Sequence, residues 1–155
     1  MGLRRKAREL ALQFLFSHDF RRSGETSDQA AAELERFALH FNSGRKALPY
    51  ASHLVRGIRQ QQQEIDALIA AHSHNWRLER MSPVDRNILR IAAFEMARCE
   101  DVPARVAINE ALEIAKRYST EDAVPFINGI LDGVHGGLEK EHAARPGAVP
   151  EGPGS

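Results

Sequence analysis

The chain is poor in the residues that most chemistry needs. Cys99 is the single cysteine among 155 residues. It rules out an intramolecular disulfide and any cysteine-rich zinc site, which fits a reducing compartment. Long apolar runs are missing too. Nothing approaches the roughly 20 residues of a membrane span, and Glu9, Gln13, His18 and Asp19 interrupt the N-terminal apolar stretch where a signal peptide would need continuity. A soluble, cytoplasmic protein is expected. Net charge is zero, with 21 basic and 21 acidic residues. No P-loop, dinucleotide fingerprint or glycine-framed serine occurs. Glu95, Glu110 and Glu113 read as polar-face residues, and no carboxylate pair stands out as an acid/base couple. His72 and His74 would point about 200° apart on a helix, so the two share no ion unless the segment is a loop. Cys99 reads as a small buried thiol rather than a nucleophile. These absences leave binding as the main role: no enzyme, no metal and no cofactor.

What is present is helical period, with no strand-like alternation of useful length. A first helix is expected from about Leu3 to Phe20, with Ala7, Leu10, Ala11, Phe14 and His18 in one stripe and Leu12 and Phe16 on a second face beside Arg5. A helix apolar on two faces is central to its fold, or keeps one face for a partner. Arg21 to Ser27 reads as a loop. Ala30, Leu34, Phe37 and Phe41 mark a second helix, ended by Asn42-Ser43-Gly44. Pro49 suits the opening of a third, whose core stripe is Leu54, Ile58, Ile65, Leu68 and Ile69. Asn75 to Met81 is a connector. Ser82-Pro83-Val84-Asp85 has the form of a helix start, with Ser82 as N-cap and Asp85 reaching back as the acid of a capping box. Pro103 opens the next helix, with Val106, Ala107, Ala111, Ile114 and Ala115 at core spacing. The last helix is capped by Ser119 or Thr120, or begins at Pro125 itself. Glycine, proline and charge dominate from Gly136 onward. The expectation is an all-α bundle of six or seven helices, one domain over residues 1–135 and a disordered tail over 136–155.

One local signal rises above this background. Residues 3–22 hold six cations (Arg4, Arg5, Lys6, Arg8, Arg21, Arg22) against two acids, Glu9 and Asp19. With Arg4 at zero and about 100° per residue, Arg8 falls near 40°, Arg5 near 100° and Lys6 near 200°. Three guanidinium groups then share one flank, which Leu12 and Phe16 continue. Planar paired donors suit phosphate, and exposed rings stack single-stranded bases. The flank therefore suits a single-stranded nucleic acid better than a duplex groove. The plain alternatives are a solvated helix end for the cations and core packing for Phe16. Four phosphate contacts would give a salt slope of about 2.8 per decade, at about 0.7 per charge.

The residues also carry a resemblance. Arg4-Arg5-Lys6-Ala7-Arg8-Glu9-Leu10-Ala11-Leu12-Gln13 is similar to the start of the NusB transcription antitermination family. So are Arg86-Asn87-Ile88-Leu89-Arg90-Ile91-Ala92, the run from Asp101 to Ala111, Ala115-Lys116, Glu121-Asp122, and the run from Phe126 to Asp132. The likeness covers residues 3–134 in one order. It implies two helical subdomains with the first helix packing through the middle, and a non-enzymatic RNA-binding protein. It further implies a heterodimer with the ribosomal protein NusE, recognition of boxA in nascent ribosomal RNA, and a larger complex with NusA, NusG and RNA polymerase that reads through terminators. By position, the resemblance places RNA contacts on Arg4, Arg5, Lys6, Arg8, Phe16, Asp122, Phe126 and Asn128, and contacts to NusE on Glu79 and Asp85. Phe16 stands where the family often has tyrosine, which removes a hydroxyl but keeps a ring. Asn128 has an equal reading in helix packing, Asp85 one as a helix cap and Glu79 one on a solvated face. A helical interaction scaffold without direct RNA contact is the rival reading. Similar domains also precede an RNA methyltransferase domain in some proteins, and this chain ends at Ser155 with no cofactor-binding domain. Homodimers occur to the same reading, since an apolar face is closed by a second copy as readily as by a partner.

Overall fold

The computed structural model describes residues 2–18, 26–41, 44–74 and 77–144. These residues form seven α-helices and one short 3-10 turn, and no strand. They are α1 (Leu3–Ser17), α2 (Ser27–Ala38), α3 (Gly44–Gln60), α4 (Gln62–Ala70), α5 (Pro83–Arg98), α6 (Ala104–Tyr118) and α7 (Ala123–Ala144), with the 3-10 turn at Leu78–Arg80. The all-α expectation holds. α1 packs mainly on α3 and also on α5, and α2 covers α3. α5, α6 and α7 pack on one another, and α4 bridges α5 and α7. So α1 lies between a group made of α2 and α3 and a group made of α4 to α7. Among the described residues no helix is long and apolar enough to cross a membrane.

The first stripe of α1 is buried as its spacing requires: Ala7, Leu10, Ala11, Phe14 and His18 all lie inside. The His18 ring stacks on Phe14 at 4.1 Å between centroids, and Phe37 of α2 meets Phe14 edge-on at 5.6 Å. Leu12 and Leu15 are buried as well, so the helix is enclosed over most of its circumference. Residues 21–25 of the loop expected from Arg21 to Ser27 lie outside the described residues, as do Asp19, Phe20, Asn42, Ser43, Asn75 and Trp76, while Ser27 already belongs to α2. α2 starts on a capping box that the sequence carried unread: the Thr26 hydroxyl accepts from the Gln29 amide at 3.0 Å, and the Gln29 side chain accepts from the Thr26 amide at 2.8 Å.

Several expectations need correction. Pro49 does not open the third helix; it lies inside α3, in the second turn and exposed, where the carbonyl of Arg45 is the one left without an amide. The third helix is two helices. Gln61, at φ −120° and ψ 24°, interrupts the run, while Ile58, Ile65 and Ile69 all stay buried. Val106 is 43 % exposed rather than part of the core. Pro125 sits third in α7, within the first turn, where no helical partner for an N–H exists. α7 also runs on past Gly136 to Ala144, so ordered structure does not stop at residue 136. Residues 145–155 lie outside the described residues.

Two close approaches fix the packing. A methyl group on Gly57 of α3 would overlap the ring of Phe94 on α5. A Cβ on Gly133 of α7 would meet the ring of His72 at 2.9 Å, so α7 passes the end of α4 at backbone distance. Gly57→Ala is therefore expected to lower stability by about 2 kcal/mol, read as a lower denaturant midpoint with an unchanged slope.

Candidate nucleic-acid interface

The α1 head places its four cations in four different settings. Arg4 is half-exposed, donates to Asp101 at 2.6 Å, and lies over the Tyr50 ring at 4.5 Å. Arg5 makes a two-pronged pair with Glu110 of α6, both bonds at 2.7 Å. Arg8 is only 4 % exposed. Its Nε donates to both oxygens of Glu95 on α5, at 3.1 and 2.9 Å, and its Nη1 lies 3.5 Å from Glu110. The Tyr50 hydroxyl of α3 also donates to Glu95. Lys6 is exposed, and no ion pair falls to it among the described residues.

The expectation of three exposed guanidinium groups on one flank is thus corrected for Arg8. Leu15 and Leu12 stand near 20° and 80° on the same wheel, either side of Arg8 at about 40°. Both are buried, and Arg8 goes inside with them. Glu95 and Glu110 are likewise not ordinary polar-face residues. Glu95 is 1 % exposed, and burial pushes its carboxyl above the usual range against the pull of Arg8 and of the Tyr50 hydroxyl. Burial first, and then the bond to Glu95, keeps the Tyr50 phenol protonated. Nearby, Cys99 is buried, with its sulfur 3.5 Å from His53 Nε2. Burial and the Glu95 charge push the thiol up to about 11, which makes it an inert thiol, as expected.

A polar seam joins α1 to α6. It runs from Arg5 with Glu110, through Glu9 with Arg117 at 3.2 Å, to Gln13, whose amide donates to the Tyr118 hydroxyl at 3.1 Å. At its head lies a groove of about 490 Å³ lined by Arg4, Arg5, Arg8, Asp101, Pro103, Val106 and Glu110. The exposure of Val106 is explained here: it forms the apolar floor beside the guanidinium groups. Phe16, 44 % exposed, stands near the C-terminal end of α1.

A second groove, of about 380 Å³, opens where α5 starts and α6 passes into α7. It is lined by Arg80, Met81, Ser82, Asp85, Thr120, Asp122, Ala123 and Phe126. Ser82 caps α5 as its sequence suggested, accepting from the Asp85 amide at 3.1 Å. Asp85 does not reach back to complete a capping box. Its Oδ1 accepts from the Ser119 hydroxyl at 2.5 Å, which ties the α6–α7 turn to the head of α5. Asp122 is exposed and Phe126 half-buried. The structure therefore brings Asp122, Phe126 and Asp85 to one groove. Glu79 is exposed next to it in the 3-10 turn, 4.0 Å from Arg77. Asn128 is half-buried and does not line the groove; two residues on, it points about 200° from Phe126. Arg80 is the residue that sequence reasoning missed. It is exposed, lines the groove, and forms no ion pair among the described residues. The signal was its place, two residues before a legible N-cap and so beside whatever faces that helix end.

This is an all-α protein built around a buried ion pair, with one groove at the head of α1 and another where α5 starts. Residues 5–135 match the model of the NusB family, and the chain belongs to that family. It is 46 % identical over 146 residues to the transcription antitermination protein NusB of Desulfosudis oleivorans, covering 94 % of each chain. It is 42 % identical to that of Bacillus subtilis, covering 88 % of this chain and 98 % of the relative. Its fold matches T. maritima NusB at a TM-score of 0.74, with 39 % identity over 86 % of this chain and 90 % of that one. A chain in a crystal structure of a plectonemic RNA supercoil matches at the same TM-score, with 27 % identity over 90 % of this chain and 98 % of that one.

Two outcomes follow from the pairs. Arg8→Ala leaves Glu95 buried without its cation and is expected to cost about 3–5 kcal/mol, seen in thermal melts, whereas Arg4→Ala at the surface changes the melting point little. Arg5 holds the Glu110 carboxyl below its ordinary 4.5. A depressed acid stabilises the fold above its unfolded value and loses that contribution as pH falls toward the folded one. Glu110→Gln is therefore expected to flatten the loss of stability as pH falls below the ordinary 4.5, measured by denaturant midpoints across an acid series.

Proposed function

We propose that this protein is an RNA-binding transcription antitermination factor. It pairs with the ribosomal protein NusE, and the two together recognise boxA in nascent ribosomal RNA. In the cytoplasm they enter a complex with NusA, NusG and RNA polymerase that reads through terminators. The observation that carries this reading is the second groove. Asp122 and Phe126, proposed to face RNA, share it with Asp85, which lies beside Glu79 and is proposed to meet a basic protein. An RNA and a protein meeting at one corner is what joint recognition requires. The relatives' name, transcription antitermination protein, supports the same reading.

Within it, Arg4, Arg5 and Lys6 contact phosphates, and Phe16 and Phe126 offer rings to bases. Arg8 acts by holding α1 in place, through Glu95 and Tyr50. Asn128 stays outside the path, and Arg80 joins it. The pairing of Arg4 and Arg5 with carboxylates favours the rival reading, a scaffold without RNA contact, because those charges are already answered.

A titration with boxA-type and scrambled RNA, with and without NusE, separates the two. The expected result is preference for boxA, sharpened by NusE. Arg4→Ala with Arg5→Ala is expected to weaken binding and lower the salt slope by up to about 1.4 with helicity kept. Phe126→Ala should weaken RNA binding and leave the NusE complex intact. Unchanged RNA affinity in both variants at low salt would leave the scaffold.

A further inference from the structure

A third groove, of about 320 Å³, lies on the polar seam of α1 and α6. Its lining includes Lys6, Glu9, Gln13, Phe41, Arg117 and Tyr118. Three properties set it apart. First, Lys6 is exposed and carries no ion pair among the described residues, so it is the uncommitted cation of the α1 head. Second, the Arg117 side chain is 59 % exposed, shares only the mostly covered Glu9 carboxylate, and sits 5.8 Å from the centre of the Tyr118 ring. Third, the groove has neighbours on both sides. The Arg5–Glu110 pair of the first groove lies on the same two helices, and from Glu110 to Tyr118 the α6 axis advances about 12 Å. Beyond Tyr118, Ser119 is bonded to Asp85 and Thr120 lines the second groove.

We propose that this groove carries the middle of a single-stranded RNA running from Arg4 and Arg5 to Phe126. Lys6 and Arg117 would hold phosphates there, and the Tyr118 ring would take a base. The inference rests on the RNA-binding reading above and adds a connecting site to it. The charge fits: two cations face one carboxylate, which is already engaged. The ring fits as well, because the Gln13 bond to its hydroxyl holds Tyr118 in one orientation, and a fixed ring stacks at low entropic cost. The helix angle that set Lys6 apart from the arginines is the angle that turns it into this groove.

The test is a salt titration of a labelled, unstructured single-stranded RNA long enough to span the three grooves. It compares the parent chain with Lys6→Gln/Arg117→Gln, Tyr118→Leu and Arg4→Ala/Arg5→Ala, all checked for helicity. The Lys6/Arg117 variant is expected to bind several-fold more weakly at low salt. Its slope should fall by at least about 0.7, so that a fourfold rise in salt costs about threefold less affinity than in the parent. Tyr118→Leu is expected to weaken binding about tenfold with an unchanged slope, as for lost stacking. If Lys6/Arg117 leaves affinity and slope unchanged while Arg4/Arg5 lowers them, the groove is off the path and the RNA reading stands. If no variant changes binding, or the parent does not bind, the RNA reading fails and the groove with it. An unchanged affinity in Tyr118→Leu removes the base from this site.

Discussion

The buried pair of Arg8 and Glu95, closed by the Tyr50 hydroxyl, is the contact on which the placement of α1 depends. It joins α1 to α3 of one helical group and to α5 of the other. Two charges in the interior gain little over well-packed apolar groups, because desolvation offsets their attraction. What they add is selectivity. A helix apolar over most of its surface can be seated at several rotations for similar hydrophobic return. Only one rotation sets the Arg8 fork on Glu95 while Ala7, Leu10, Ala11 and Phe14 stay covered. That rotation also lays Arg4 over Tyr50 and brings Arg5 to Glu110. The surface arginines are positioned by the buried one.

The same pairs change how the basic head should be weighed. Counted along the chain, residues 3–22 show a clear cationic excess. In space, Arg4, Arg5 and Arg8 each face an acid drawn from α5, α6 or the turn between them. A phosphate reaching Arg4 or Arg5 exchanges with a carboxylate instead of meeting a bare cation. The exposed Arg4–Asp101 pair contributes about 0–1 kcal/mol, so exchange there is cheap; the half-buried Arg5–Glu110 pair holds more firmly, and exchange at Arg8 would strand Glu95. Counterion release is also reduced, because a guanidinium that keeps its own carboxylate neutralises less phosphate charge and frees fewer cations from the RNA. The slope of about 2.8 per decade for four free cations is therefore an upper bound. This puts more of the electrostatic weight on Lys6 and Arg80, the two cations that the head and the second groove hold without an ion pair among the described residues.

Most of the helices were legible because their evidence is local. Periodicity marks the buried stripes of α1 and α6, Ser82-Pro83 marks the start of α5, and both features survive in the structure. The misses arose where a residue's fate is decided by a neighbour far along the chain. Arg8 and Glu95 are 87 positions apart, and neither looks buried until the other is in place. The Leu15 and Leu12 positions that bracket Arg8 were a usable warning. Asp85 has a sensible local role as a cap acid, but Ser119 takes its oxygen across 34 positions. Pro49 was read as a helix start and Pro125 as one of two possible starts, from a true preference, yet both lie inside helices whose beginnings depend on flanking turns.

The bond from Ser119 to Asp85 has a consequence for how the two sides of the second groove behave. Asp85 belongs to the first turn of α5, whose N-terminal amides favour a negative charge. Ser119 closes α6 and leads directly into the turn that carries Asp122. A basic protein drawn to Asp85 and Glu79 would compete with Ser119 for the same carboxylate. If it displaced that hydroxyl, the turn bearing Asp122 would lose its tether to α5; if it used Oδ2 alone, the turn would stay fixed. In the first case protein docking loosens the segment proposed to face RNA, and in the second it rigidifies the whole corner. Cooperative recognition, in which the protein partner tightens RNA binding, requires the second. Oδ2 forms no hydrogen bond among the described residues, so the geometry has room for a cation on that oxygen with the Ser119 bond intact.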